Sequence, residues 1–161
     1  MKKYFLLFWL LVAFGTITGS AQATDTAVAK IAGEWEIAQV VVRETSYDTH
    51  VFLKEYMLTD KSEIKKLKAG LLTEIIFGIY QYEVSRKGRR ETGEFRWAGR
   101  SMVQLSRTQP EAQWSFVYEW EMPSVDKLIF RNPFSVYRDT VSGQLVRADY
   151  ISHYSRKPKN Q

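Results

Sequence analysis

Apolar and polar positions along this chain change period several times. Tyr4 to Phe14 is a continuous apolar run behind Met1-Lys2-Lys3, and it gives way to Gly15, Thr16, Gly19 and Ser20. Ile31 to Arg43 reads as a first strand, with Val40-Val41-Val42 adding β-branched weight. Val51 to Leu58 fits either a short strand or a helical turn, since Val51, Phe52, Leu53, Tyr56 and Met57 match neither period cleanly. Asp60 and Glu63 have capping-box spacing, which predicts a helix start. Ile64, Leu67, Leu71 and Leu72 then recur at helical spacing, with Lys61, Lys65, Lys66 and Lys68 on the opposite face.

From Thr73 the period becomes two. Tyr80, Tyr82 and Val84 alternate with polar neighbours, then Phe95 and Trp97, then Val103 and Leu105, then Phe116, Tyr118 and Trp120. Turns separate these runs at Arg86-Lys87-Gly88-Arg89, Ala98-Gly99, Gln109-Pro110-Glu111 and Pro123-Ser124. Lys127 to Arg131 is the next strand, broken at Asn132-Pro133. A further strand over Ser135 to Arg138, a turn at Ser142-Gly143 and a last strand over Leu145 to Ser155 complete the pattern. Short strands with turn signals every 8–12 residues mean an antiparallel sandwich or barrel. One face is polar and meets water; the other carries large rings, as a closed interior or a deep apolar cavity requires.

Composition changes this picture in three ways. First, the basic start, apolar run and Ala21-Gln22-Ala23 form the three regions of a secretory signal peptide, so residues 1–23 are expected to be a removable leader and 24–161 the domain. The apolar run is too short to span a bilayer, so the mature chain is expected to have no stable membrane anchor and to be periplasmic or secreted. Second, there is no cysteine. The cleavage site offers no thiol for a lipid, and stability must come from packing rather than disulfides. Third, the formal charge of +5 falls to +3 once Lys2 and Lys3 leave. That balance fits solubility better than nucleic-acid binding, and no nucleic-acid partner is expected.

Candidate chemistry is sparse. His50 and His153 are the only histidines, so metal ligands and a nucleophile–histidine pair are thinly supplied, and no metal or cofactor is expected. Glu119 and Glu121 share a face, but the opposite face to Tyr118 and Trp120, where water leaves their acidity untuned. Arg86-Lys87-Gly88-Arg89-Arg90 reads as a charged hairpin tip rather than a phosphate loop. No catalytic residues are assigned, and the chain is not expected to be an enzyme.

Gly33-x-Trp35 at the head of the first strand resembles the lipocalin and calycin signature. The later segments are similar to the lipocalin-like domains exported by Bacteroidetes-type bacteria. These segments are Phe77-Gly78-Ile79-Tyr80-Gln81-Tyr82, Gly93-Glu94-Phe95-Arg96-Trp97, Val103-Gln104-Leu105, Asp126-Lys127-Leu128-Ile129-Phe130 and Tyr154-Ser155-Arg156-Lys157. The resemblance implies an all-β fold with one short helix, an antiparallel up-and-down barrel of about eight strands. It also implies that Trp35 plugs the closed end with Arg156 across its ring, making Gly33, Trp35 and Arg156 structural. On this reading Tyr80, Tyr82, Phe95, Trp97, Phe116, Tyr118 and Trp120 face inward and bind a small apolar ligand. The alternative is a filled barrel that serves as a protein-interaction module of the cell envelope, an assembly factor or inhibitor.

Overall fold

A computed structural model describes residues 28–67, 70–107 and 115–158 of the chain. The leader assigned to residues 1–23 lies outside the described residues. The chain divides into two units, residues 1–32 and 33–161. In the first, residues 28–31 make a helical turn, with Ala32 N–H donating to the Val28 carbonyl at 3.0 Å. The second holds β1 (Gly33–Ser46), β2 (Phe52–Leu58), α1 (Lys61–Lys66), β3 (Leu72–Phe77), β4 (Gln81–Arg86), β5 (Arg89–Trp97), β6 (Met102–Arg107), β7 (Ser115–Ser124), β8 (Lys127–Arg138) and β9 (Leu145–Arg156).

Strands β3 to β9 follow one another as antiparallel neighbours, and β9 returns to pair with β1 along almost its full length. With β1 against β3, eight strands close on themselves and leave no edge through the barrel wall. The ninth, β2, explains why the segment from Val51 to Leu58 was ambiguous. It is a strand, but it pairs with the second half of β1, from Val40 to Thr45, while β3 pairs with the first half, from Gly33 to Glu36. Both run antiparallel to β1 on the same edge, so β2 and β3 are two halves of one interrupted strand. Helix α1 fills the interruption.

That helix is shorter than its periodicity predicts. Asp60 caps it, accepting from the N–H of Ser62 at 2.6 Å and of Glu63 at 3.4 Å. Ile64 is its one buried residue, and Leu67 already has extended backbone. Leu71 and Leu72 are buried too, but Leu72 opens β3. Gly70, at φ +63°, turns the chain between the two, and the helical spacing of the leucines across it is coincidental.

Two further expectations change. The run from Thr73 to Val84 is two strands, split by a turn at 78–80 where Tyr80 takes φ +60° and Gly78 N–H donates to the Gln81 carbonyl. Pro133 does not end a strand. It sits inside β8 at an irregularity between Asn132 and Ser135, beyond the stretch that β7 pairs. A residue without an N–H is tolerated where no ladder bond is required of it.

The core concentrates at the end where β1 begins. Trp35 is fully buried, and the Arg156 guanidinium lies 4.2 Å from its ring centroid. Gly33, at φ +130°, makes this possible: a Cβ there would stand 2.5 Å from Arg156 Nη1. Behind Trp35, Phe77 meets Phe95 edge-on at 5.1 Å, Phe130 stacks on Tyr118 at 5.4 Å, and Tyr154 meets Phe130 at 5.7 Å. The Tyr154 hydroxyl donates to the Leu72 carbonyl at 2.8 Å, so even this deep polar atom is satisfied.

Candidate site inside the barrel wall

Strand alternation puts six of the seven sequence-selected rings on the inner face. Tyr82, Phe95 and Tyr118 are buried, while Trp97, Phe116 and Trp120 are partly buried. Tyr80 is the exception: at the 78–80 turn it is off the strand and 46% exposed, and it meets the edge of the group at Phe95, 6.4 Å between ring centroids. Trp97 packs on Phe95 at 5.9 Å and on Trp120 at 4.8 Å. The indole Nε1 atoms of Trp97 and Trp120 are both buried with no hydrogen-bond partner. Two donors held in this way are costly to leave unmatched, and they suit an acceptor brought in from outside.

Beside the rings is a polar group that the sequence reading did not find. The sequence places Arg86 in a solvated hairpin tip, yet its side chain turns inward. It donates to the Tyr118 hydroxyl at 3.3 Å, approaches Glu91 at 3.9 Å and lies 5.1 Å from the Phe116 ring centroid. Lys87, Gly88, Arg89 and Arg90 are exposed, as a charged hairpin tip requires, with Arg90 paired to Glu83 at 2.8 Å. The turn itself is a two-residue hairpin with Lys87 at φ +49° and Gly88 at φ +75°, the geometry that matches strand twist. Glu91, on β5, shares the inner parity of Gly93, Phe95 and Trp97. Arg107 extends the inner parity of Val103 and Leu105 on β6, and its Nε is buried.

This environment holds the tyrosines protonated. Burial, then the Glu91 carboxylate, pushes the Tyr82 hydroxyl up to about 12, and burial also raises Tyr118 against the opposing pull of Arg86. A folded-state value above the unfolded one means that the folded chain keeps a proton the unfolded chain has lost. Stability is therefore fully present below pH 10 and falls as pH rises through about 10 to 12. Urea melts across that window should show a falling midpoint, and a flat midpoint would contradict the burial of these hydroxyls. Tyrosinate absorbance should likewise appear later than in the unfolded chain.

A second polar group lines the inner face at the end of the barrel away from Gly33. Glu44 is only 4% exposed. It accepts from the Tyr56 hydroxyl at 3.1 Å and pairs with Lys54 at 3.3 Å. Burial and Glu44 together raise the Tyr56 hydroxyl to about 12, and they raise Tyr137 in the same direction. Tyr150 and Ser135 share a hydrogen bond at 2.9 Å nearby on β9 and β8. A cavity of about 540 Å³ lies where β7 and β8 part. Its lining combines outward residues such as Val117 and Arg147 with Asn132 and Tyr150 of the inner parity.

The remaining candidates sit elsewhere. His50 is exposed. His153 is partly buried on the outer face, where burial and the neighbouring Arg131 hold its pKa below the ordinary value. Glu119 and Glu121 are exposed on the outside of β7. Among the described residues no group of three or more His, Asp or Glu side chains is placed to hold a metal, and no helix is long and apolar enough to cross a membrane.

No protein-family model and no curated protein matches the chain. Among solved structures, one described as Odorant Binding Protein OBP1 aligns with a TM-score of 0.37 and 11% identity, covering 83% of this chain and 75% of that one. A likeness at that level says nothing about what this chain binds.

Proposed function

We propose that the chain is an exported, non-catalytic, lipocalin-like binding protein that holds a small molecule inside its barrel, and that this molecule has an apolar body and an anionic head. The observation that carries the reading is the polar group in the inner wall. Two arginines, Arg86 and Arg107, share it with the Glu91 carboxylate and the hydroxyls of Tyr82 and Tyr118. Guanidinium groups set beside aromatic rings present the forked donors that suit a carboxylate or similar head. Phe95, Trp97, Phe116 and Trp120 supply apolar contact for the body, and Tyr82 and Tyr118 offer hydroxyl donors. The leader pattern at residues 1–23 supports export.

The test is a titration with dansyl-undecanoic acid and with its methyl ester, read by quenching of tryptophan emission. The acid should bind at least ~10-fold more tightly than the ester, the difference that one hydrogen bond to a charged group makes. Arg86→Gln should erase that preference and leave ester binding unchanged. Absence of saturable binding by either probe would overturn the proposal. Native mass spectrometry of protein from its own host would then be expected to show the alternative, a stoichiometric envelope-protein partner on a filled barrel.

A further inference from the structure

Two lysine groups from separate segments converge on one cavity. Lys61 and Lys65 stand one helical turn apart on α1, and Lys87-Gly88 is the β4–β5 turn. All four line a cavity of about 580 Å³, whose floor includes Ile37 and Thr73. Its volume falls within the ordinary range of small-molecule sites. The cavity exists because β1 has no strand partner between Glu36 and Val40 on this edge, the place where β2 stops and β3 has not yet begun.

We infer that this cavity is a second binding site, for a small molecule bearing a phosphate group. The charges decide the sign. Two carboxylates, Glu36 and Glu74, also line it, but each is already answered: Lys61 Nζ stands 2.6 Å from Glu36, and Lys157 Nζ stands 3.1 Å from Glu74. Lys65 also helps to hold Glu36 ionised without forming a close ion pair with it, and with Lys87 it makes the lysines of the lining, three against two carboxylates, the surplus charge. Lysine is a compact, strongly hydrated point charge on a flexible stem, which suits a compact oxyanion better than a planar carboxylate. Gly88 leaves the approach open, since a Cβ there would meet nothing within 4 Å. The two lysine groups come from segments far apart in sequence and are brought together only because α1 interrupts the strand beside β1.

The phosphate could be carried by a free metabolite or by a lipid headgroup, and one experiment separates them. The whole protein is titrated at low salt with glycerol 3-phosphate by calorimetry, and by sedimentation with vesicles of phosphatidylcholine with and without phosphatidic acid. The double variant Lys65→Gln/Lys87→Gln should bind at least ~10-fold more weakly, as loss of two charge-assisted contacts implies. Lys127→Gln, on the exposed start of β8, should match the parent. Thermal melts of all variants confirm that the surface substitutions leave the fold intact. Saturable glycerol 3-phosphate binding that the double variant loses assigns a soluble ligand. Binding only to phosphatidic acid vesicles, lost in the same variant, assigns a headgroup. Binding to neither, or equal binding by parent and double variant, overturns the inference. Phosphate binding that is lost instead in Arg86→Gln would place the anion in the barrel and overturn it equally, while leaving the barrel reading standing.

Discussion

Replacing Trp35 with alanine should destabilise the barrel by about 3–5 kcal/mol, the range for deleting a large fully buried ring. Trp35 has no exposed surface, and its neighbours on either side are strands rather than loops: it pairs with Ile75 on β3 and with Arg156 on β9. A wall of hydrogen-bonded strands cannot collapse into the space as a loop could, so the cavity term is felt in full. The substitution also strips Arg156 of its ring, a contact at 4.2 Å worth about 0.5–2 kcal/mol. Arg156 keeps a hydrogen bond from Nε to the Val125 carbonyl at 2.8 Å, so the guanidinium itself should stay in place. Urea melts measure the loss directly. A cost below about 1 kcal/mol would mean that the ring does not close this end of the barrel.

The second large effect is expected at Gly93, where the constraint is space rather than backbone conformation. Gly93 lies between Tyr82 on β4 and Arg107 on β6. A Cβ there would fall onto the Ser106 carbonyl oxygen and within 2.8 Å of the Tyr82 ring. The side-chain clash could be relieved by moving Tyr82, but the clash with Ser106 is with backbone and would push β5 away from β6. Gly93→Ala should therefore cost about 3 kcal/mol, the upper part of the overpacking range. It should also raise the exposure of Tyr82, visible as earlier tyrosinate formation on alkaline titration. A melt within about 0.5 kcal/mol of the parent would show that the strand pair can absorb the methyl group.

Much of the wall was legible because alternation is a local property. Tyr82, Phe95, Trp97, Phe116, Tyr118 and Trp120 all lie where a period of two puts them, since each stands in a regular stretch of strand. Tyr80 failed because the same period was carried across a turn that no proline announces. The inner charged residues were legible in principle. Arg86 continues Tyr82 and Val84, Glu91 precedes Gly93 and Phe95, and Arg107 follows Val103 and Leu105, each by one more step of two. Charge beside a turn is ordinarily solvated, and that expectation overrode the parity. Glu44 was hidden for a different reason: the polar run from Glu44 to Thr49 reads as a loop after a strand ending at Arg43, whereas β1 continues to Ser46. The register of β1 against β9 shifts between Ile37 and Gln39, so the inner face passes from Trp35 and Ile37 to Val40, Val42 and Glu44. A bulge flips the parity without leaving a residue type to announce it. The grouping of Lys61 and Lys65 with Lys87 was out of reach altogether, because it depends on two half-strands sharing one edge.

The seam between β1 and β9 has a consequence for how the chain reaches this state. The pairings from β3 through β9 join sequence neighbours, so each can form as a hairpin soon after its strands exist. The seam joins Trp35 to Arg156, a pairing whose loop-closure cost falls only as the intervening strands form, so it is expected to form late. Until then the sheet is open, and β1 and β9 present two long unsatisfied edges to any other chain in the same condition. Folding speed and aggregation should thus be governed by one late event, the zippering of a single strand pair. The length of that pair, from Trp35 to Ser46, makes the closed state persistent once it has formed.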